Sequence, residues 1–195
     1  MNNISILHGI KGLIFDCDGT LVDSMLLHMH AWQEAVKKFG AAYDHDLFYS
    51  CKGMKEKDII PLYNAKHNIN LDSEQVVDAK HEYFKQNIFL VKRIDVVAEI
   101  AVKYKNILPM AVVSGGTREN VLTELKITGL DSLFDIILTA DDNFAPKPAP
   151  DLLLEAARRM GVAPEFCQVF EDADLGIQAA LNAKMRVTDV RKYFS

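Results

Sequence analysis

The sequence predicts an α/β protein: a parallel sheet covered by helices on both faces, with a block of helices set into it. Three observations carry that expectation. Apolar runs at 11–17 ("KGLIFDC"), 108–114 ("LPMAVVS"), 134–139 ("FDIILT"), 166–171 ("FCQVFE") and 185–190 ("MRVTDV") have the length of buried strands. Between the later runs, 117–127, 149–160 and 173–183 carry apolar residues three and four apart, as a helix with one buried face does. The interval from about residue 24 to 91 holds helical patterns and no strand signal. Strand and helix in alternation imply parallel strands whose two faces are both covered.

The elements follow in order. The first run ends in Asp16 and Asp18, with Gly19 and Thr20 directly after. Residues two apart on a strand share a face, so both carboxylates can reach one site. A calcium loop of the EF-hand kind needs its glycine at the sixth position, whereas Gly19 is fourth counted from Asp16. Next come "SMLLHMHAWQEAVKKFG", "MKEKDIIPLYNAKH" and "LDSEQVVDAKHEYFKQNIFLVK", all helical in pattern. Gly40, Gly53 and "NINLDS" break them, and Asp72 or Ser73 suits an N-cap. The expected division is a Rossmann-like core from 1–23 and 92–195, with 24–91 as an inserted helical bundle.

Composition narrows the function classes. The 195 residues are 49% hydrophobic and 25% charged, with a formal net charge of −5. That balance excludes a basic surface tracking nucleic acid. No apolar stretch approaches the roughly 20 residues that span a bilayer. "MNNISILHGIKG" lacks the basic, apolar and small-residue order of a leader, so a cytoplasmic protein is expected. Cys17, Cys51 and Cys167 are scattered, without the spacing of a disulfide framework or zinc site, and read as buried thiols.

Open parallel sheets bind ligands outside the carboxyl ends of their strands. Four such ends carry chemistry here. Asp16 and Asp18 close the first run. In "VVSGGTREN", Ser114 and the Gly115–Gly116 turn put a hydroxyl and backbone amides before a helix, which suits an anion. In "APKPAPD", prolines on both sides of Lys147 limit its backbone freedom. In "VFEDADLGIQAA", Glu171, Asp172 and Asp174 crowd the start of a helix. So many carboxylates at one rim repel each other, and a hard divalent cation relieves the repulsion. Magnesium takes one or two carboxylates plus substrate phosphate. Acids, a cation, a hydroxyl–amide cradle and a lysine are the parts of phosphoryl transfer, and a carboxylate can be its nucleophile.

These four motifs, in this order over residues 13–177, resemble those of the haloacid dehalogenase (HAD) superfamily of phosphohydrolases. The helical insert resembles the α-helical cap of its branch containing β-phosphoglucomutase and small sugar-phosphate phosphatases. The resemblance implies Asp16 as nucleophile and Asp18 as the acid/base, with Asp16, Asp18 through its backbone carbonyl, and Asp172 on Mg2+. Glu171 would lie beside the metal or replace a ligand. Ser114, the Gly115 amide and Lys147 would hold the transferring phosphoryl group. In the cap, His28 would assist Asp18, the Lys52–Gly53 segment would face the substrate, and Lys85 would reach it.

The sequence also departs from the mutase pattern. Mutases of this branch carry an arginine three residues after the glycine of the K-G segment; here Glu56 stands there, between Lys55 and Lys57. "VKRIDVV" replaces the Pro-Gly that often precedes the return to the core. "KPAPD", "RRMGV" and "FEDADLGIQAA" resemble bacterial phosphatases of the fructose-1-phosphate type. The expectation is therefore a monomeric, Mg2+-dependent sugar-phosphate phosphatase, with a β-phosphoglucomutase as the alternative.

Overall fold

The computed structural model describes residues 4–193. In chain order the elements are β1 (Gly12–Phe15), β2 (Val22–Asp23), α1 (Met25–Lys38), α2 (His45–Ser50), α3 (Glu56–His67) and α4 (Ser73–Asn87). There follow β3 (Lys92–Arg93), α5 (Asp95–Tyr104), β4 (Met110–Val113), α6 (Arg118–Ile127), β5 (Ile136–Leu138), α7 (Asp151–Met160), β6 (Cys167–Glu171), α8 (Asp174–Asn182) and β7 (Arg186–Asp189).

Five strands form one parallel sheet in the order β5-β4-β1-β6-β7. The α/β, Rossmann-like fold with an inserted helical region is therefore as expected. Side chains along each central strand alternate between two cores. Leu13, Phe15, Met110, Val112 and Phe170 face the layer that includes α5 and α6. Ile14, Ala111, Val113, Cys167 and Val169 face the layer that includes α7 and α8. Period-two alternation with both sets apolar is what a doubly covered strand requires. At the centre, Phe15 and Phe170 stack across β1 and β6 with ring centroids 4.7 Å apart. All three cysteines are free and buried.

The insert has its own core of Met29, Trp32, Val36, Phe48, Ile60, Tyr63 and Val76. Trp32, Phe48 and Tyr63 stack in series. Asp72 caps α4 by accepting from the Gln75 amide at 2.9 Å, so the cap is Asp72 and Ser73 is the first helical residue.

Three features differ from the sequence reading. The first strand stops at Phe15, so Asp16 and Asp18 stand in a turn beyond it, not on one strand face. In that turn the Thr20, Leu21 and Val22 amides donate to the Cys17 carbonyl, and Gly19 takes φ +80°, a left-handed conformation that favours glycine. Two helices were not foreseen, the six-residue α2 and the ten-residue α5. A two-stranded antiparallel ribbon joins β2 to β3, pairing Val22 with Arg93 and Asp23 with Lys92. It brings together the strands that lead into and out of the helical insert. No helix among the described residues is long and apolar enough to cross a membrane.

Candidate active site

The carboxyl ends of β1, β4 and β6 open into one pocket, roofed by α1, α2 and the loop to α3. Asp16, Asp18, Ser114, Gly115, Lys147, Glu171 and Asp172 all line it, as do His28, Lys52 and Gly53 from the insert. Lys85 does not. It pairs with Glu119 on the surface, both side chains being about two-thirds exposed. Its position on α4 turns it away from the pocket, so the cap-lysine expectation is corrected.

Lys147 is the electrostatic centre. Its Nζ donates to Asp16 Oδ1 and Glu171 Oε2, each at 2.7 Å, and to the Val113 carbonyl at 3.3 Å. Burial alone would lower the pKa of this ammonium; the charges of Asp16 and Glu171 reverse that and raise it. Asp16 is pushed well above the usual carboxylate range, first by burial and then by repulsion from Glu171, against the pull of Lys147. Glu171 is saturated. Its other oxygen, Oε1, accepts from the Asp172 and Ala173 amides.

Asp18 has different surroundings. Its Oδ1 accepts from Ser24 Oγ at 2.6 Å and meets His28 Nε2 at 2.9 Å. Its Oδ2 accepts from Ser114 Oγ at 3.3 Å, and that oxygen in turn accepts from the Gly116 amide at 3.0 Å. Burial works to raise the pKa of Asp18, but the charge of His28 and hydrogen bonds from His28 and Ser24 lower it overall. Two aspartates two residues apart are thus driven in opposite directions, Asp16 up and Asp18 down. His28 stacks on Phe84 at 4.3 Å between centroids, which fixes the ring. His30, its neighbour in sequence, is exposed.

Ligand oxygens of Asp16, Glu171 and Asp172 lie within 4.8 Å of one another, a cluster of hard donors consistent with a divalent-cation site. The backbone makes room for this cluster. A Cβ on Gly19 would stand 2.6 Å from Asp172 Oδ2, and one on Gly176 would stand 2.0 Å from Glu171 Oε2. Gly176→Ala is therefore expected to drive Glu171 off Lys147. It should lower stability by on the order of 3 kcal/mol in urea unfolding, because a buried cation loses a partner. A variant as stable as the parent would show that Glu171 has another place to go.

Several partners were missed in the sequence. Ser24, Thr20 (Oγ1 3.4 Å from Asp172 Oδ1) and Glu124 are among them. Glu124 is fully buried on α6 near Asp18, accepts from the Cys17 thiol, and leaves Oε1 without a partner. Burial, and then the Asp18 charge, raise its pKa well above the carboxylate range. Its signal was available: Glu124 follows the apolar Val121 by three and precedes Leu125, so it sits on the buried face of its helix.

Comparison with known proteins agrees with this geometry. Residues 13–190 match the haloacid dehalogenase-like hydrolase family. The fructose-1-phosphate phosphatase YqaB of Escherichia coli is 35% identical over 180 residues, covering 92% of this chain and 96% of that protein. A phosphorylated carbohydrates phosphatase of Thermotoga maritima is 30% identical, over 89% of this chain and 82% of its own length. A hydrolase from Pseudomonas syringae superposes with a TM-score of 0.83 over 95% of this chain and 87% of its own; at 23% identity it shares the fold. With a parallel sheet, a helical cap and an aspartate pair at the end of the central strand, the chain belongs to the haloacid dehalogenase-like hydrolases and is a phosphoric monoester hydrolase.

Proposed function

We propose that this protein is a Mg2+-dependent phosphatase that cleaves a small phosphorylated sugar through an aspartyl-phosphate at Asp16, with residues 24–91 as a cap over the substrate. The observation that carries the reading is convergence. All four strand-end motifs and His28 line a single pocket, with Lys147 between Asp16 and Glu171.

In this reading Asp16 Oδ2, the oxygen not engaged by Lys147, attacks phosphorus while the bond to the leaving alkoxide breaks. Lys147, Ser114 and the Gly115 amide would surround the equatorial oxygens. Asp18, with His28 Nε2 2.9 Å from its Oδ1, would give a proton to the leaving oxygen and then take one from the water that hydrolyses the intermediate. Asp16, the Asp18 carbonyl and Asp172 would hold Mg2+, which when bound supplies positive charge opposite the phosphoryl oxygens. Glu171, saturated by Lys147 and two amides, would orient Lys147 and not ligate.

Glu56 favours hydrolysis over mutase chemistry. Its carboxylate lines the cap side of the pocket and is engaged by Lys80, which is fully buried, and by His81. Those charges hold its pKa down at about 2 although burial works to raise it. Lys55 and Lys57 offer a second phosphate no substitute for an arginine. Neither lines the pocket, and Lys57 pairs with Glu74 on the surface. Fructose 1-phosphate leads the substrates to try, because YqaB is named for it. The test is a Mg2+-dependent assay across hexose 1- and 6-phosphates, with a trace of glucose 1,6-bisphosphate, following phosphate and glucose 6-phosphate together. Stoichiometric phosphate release is expected. Interconversion of glucose phosphates with little phosphate released would make the protein a mutase.

A further inference from the structure

Lys52 is the lysine of the helical insert that reaches the acidic cluster of the pocket. Its Nζ lies 2.6 Å from Asp172 Oδ2 and 5.0 Å from the centroid of the Tyr49 ring. The pair is well shielded, with side chains 15% and 5% exposed. Lys147 differs from it. That lysine is pinned by two acids and a carbonyl, whereas Lys52 holds a single carboxylate oxygen at the end of a flexible four-carbon stem.

The loop carrying Lys52 is also placed to serve two positions. Gly53 packs beside Ala173 and Leu175, next to Asp172, and its carbonyl lies 4.0 Å from where a Cβ on Gly115 would stand. The same short segment therefore borders both the cation-binding carboxylate and the phosphate loop. A rotation of the Lys52 side chain moves its charge from one to the other with no movement of the cap as a body.

A divalent cation needs Asp172 Oδ2 as well, and two cations on one shielded oxygen repel. A phosphoryl dianion beside Ser114 offers the ammonium a more highly charged partner than a carboxylate can. We propose that Lys52 is an exchangeable counter-ion coupling the two ligand positions. It neutralises Asp172 in the free enzyme and passes to the phosphoryl oxygens when substrate binds, releasing Asp172 to the metal. Metal and phosphate then raise each other's affinity, by the same factor in both directions. This rests on the phosphatase reading above.

The test is calorimetric titration of Mg2+ alone, and of Mg2+ with saturating inorganic phosphate, into the wild type, Lys52→Met and Lys52→Arg. Lys52→Met is expected to bind Mg2+ alone about fivefold more tightly than the wild type, the lower end of typical coupling factors. The enhancement of Mg2+ affinity by phosphate should fall about fivefold or more in Lys52→Met and be largely kept in Lys52→Arg. A lysine that merely ties cap to core would lower the unfolding midpoint in Lys52→Met and leave the enhancement within about twofold of the wild type, which would overturn the proposal. Wild-type protein that binds Mg2+ and phosphate with no mutual enhancement overturns it too, and leaves the phosphatase reading standing. Wild-type protein that binds neither overturns both.

Discussion

Asp16→Asn is expected to abolish phosphate release, by about four orders of magnitude or more, in a protein that is no less stable than the parent. The asparagine keeps an oxygen for Lys147 but cannot form the aspartyl-phosphate. Stability follows from the position of Asp16, buried and repelled by Glu171 so that its pKa stands well above the usual range. A carboxyl raised in the fold contributes stability below its unfolded pKa of about 3.9 and loses it as pH rises through the folded value. At pH 7, well above the unfolded pKa, burying this carboxyl therefore works against the fold, and a neutral isostere does not. The unfolding midpoint of Asp16→Asn should equal or exceed the parent's at pH 7, with the advantage gone near pH 4. Activity within tenfold of the parent would remove Asp16 as nucleophile. A lower midpoint at pH 7 would refute the electrostatic account.

Much of this site was legible because a parallel sheet does the assembling. Asp16, Ser114 and Glu171 each close an apolar run, and the order of strands places β1 between β4 and β6. Once the runs are read as parallel strands, these residues must meet at one end. The cap has no such rule. Lys85 lies five residues beyond Lys80 on α4, about 140° further round the helix, and the two differ completely in surroundings. Lys80 is buried against Glu56 and the rings of Trp32 and Phe84, and Lys85 is in water. Only the packing of α4 on α1 decides between them, and neither residue advertises it.

Other elements were hidden for different reasons. A two-residue strand such as β2 has no period to detect. In α5 the apolar residues Val96, Val97 and Ala98 run together, so the helical stripe is blurred. Ser24, Thr20 and Glu124 act through hydrogen bonds or close approach across more distant chain, or through a turn. Their types are common, and their partners are set by the fold. The resemblance to a family supplied roles for the motif residues; it gave no hint that a buried carboxyl would stand behind the acid/base.

The second large effect concerns that balance of charge. Lys147→Met keeps a linear side chain of similar reach and removes the ammonium shared by Asp16 and Glu171, which are 8% and 2% exposed. Breaking a buried pair by deleting one member costs about 3–5 kcal/mol, since the remaining charge has neither partner nor water. Here two acids are left, with Asp172 beside them. Urea unfolding at pH 7 should show a loss of that order, and phosphate release should fall with it because the incoming phosphoryl group would meet unbalanced carboxylates. The pH dependence has a definite sign. The pKa of Lys147 is raised in the fold, so its contribution is fully present below the unfolded value of about 10.4, across the whole neutral range. In the variant the acids can escape repulsion only by binding protons. The difference from the parent should therefore be largest at pH 8 and shrink steadily as pH falls towards 4. A difference that is flat with pH would mean that Lys147 contributes packing and not charge. Added Mg2+ gives an independent check: at pH 7 it should restore more stability to Lys147→Met than it adds to the parent, because it brings to the cluster the positive charge the substitution took away.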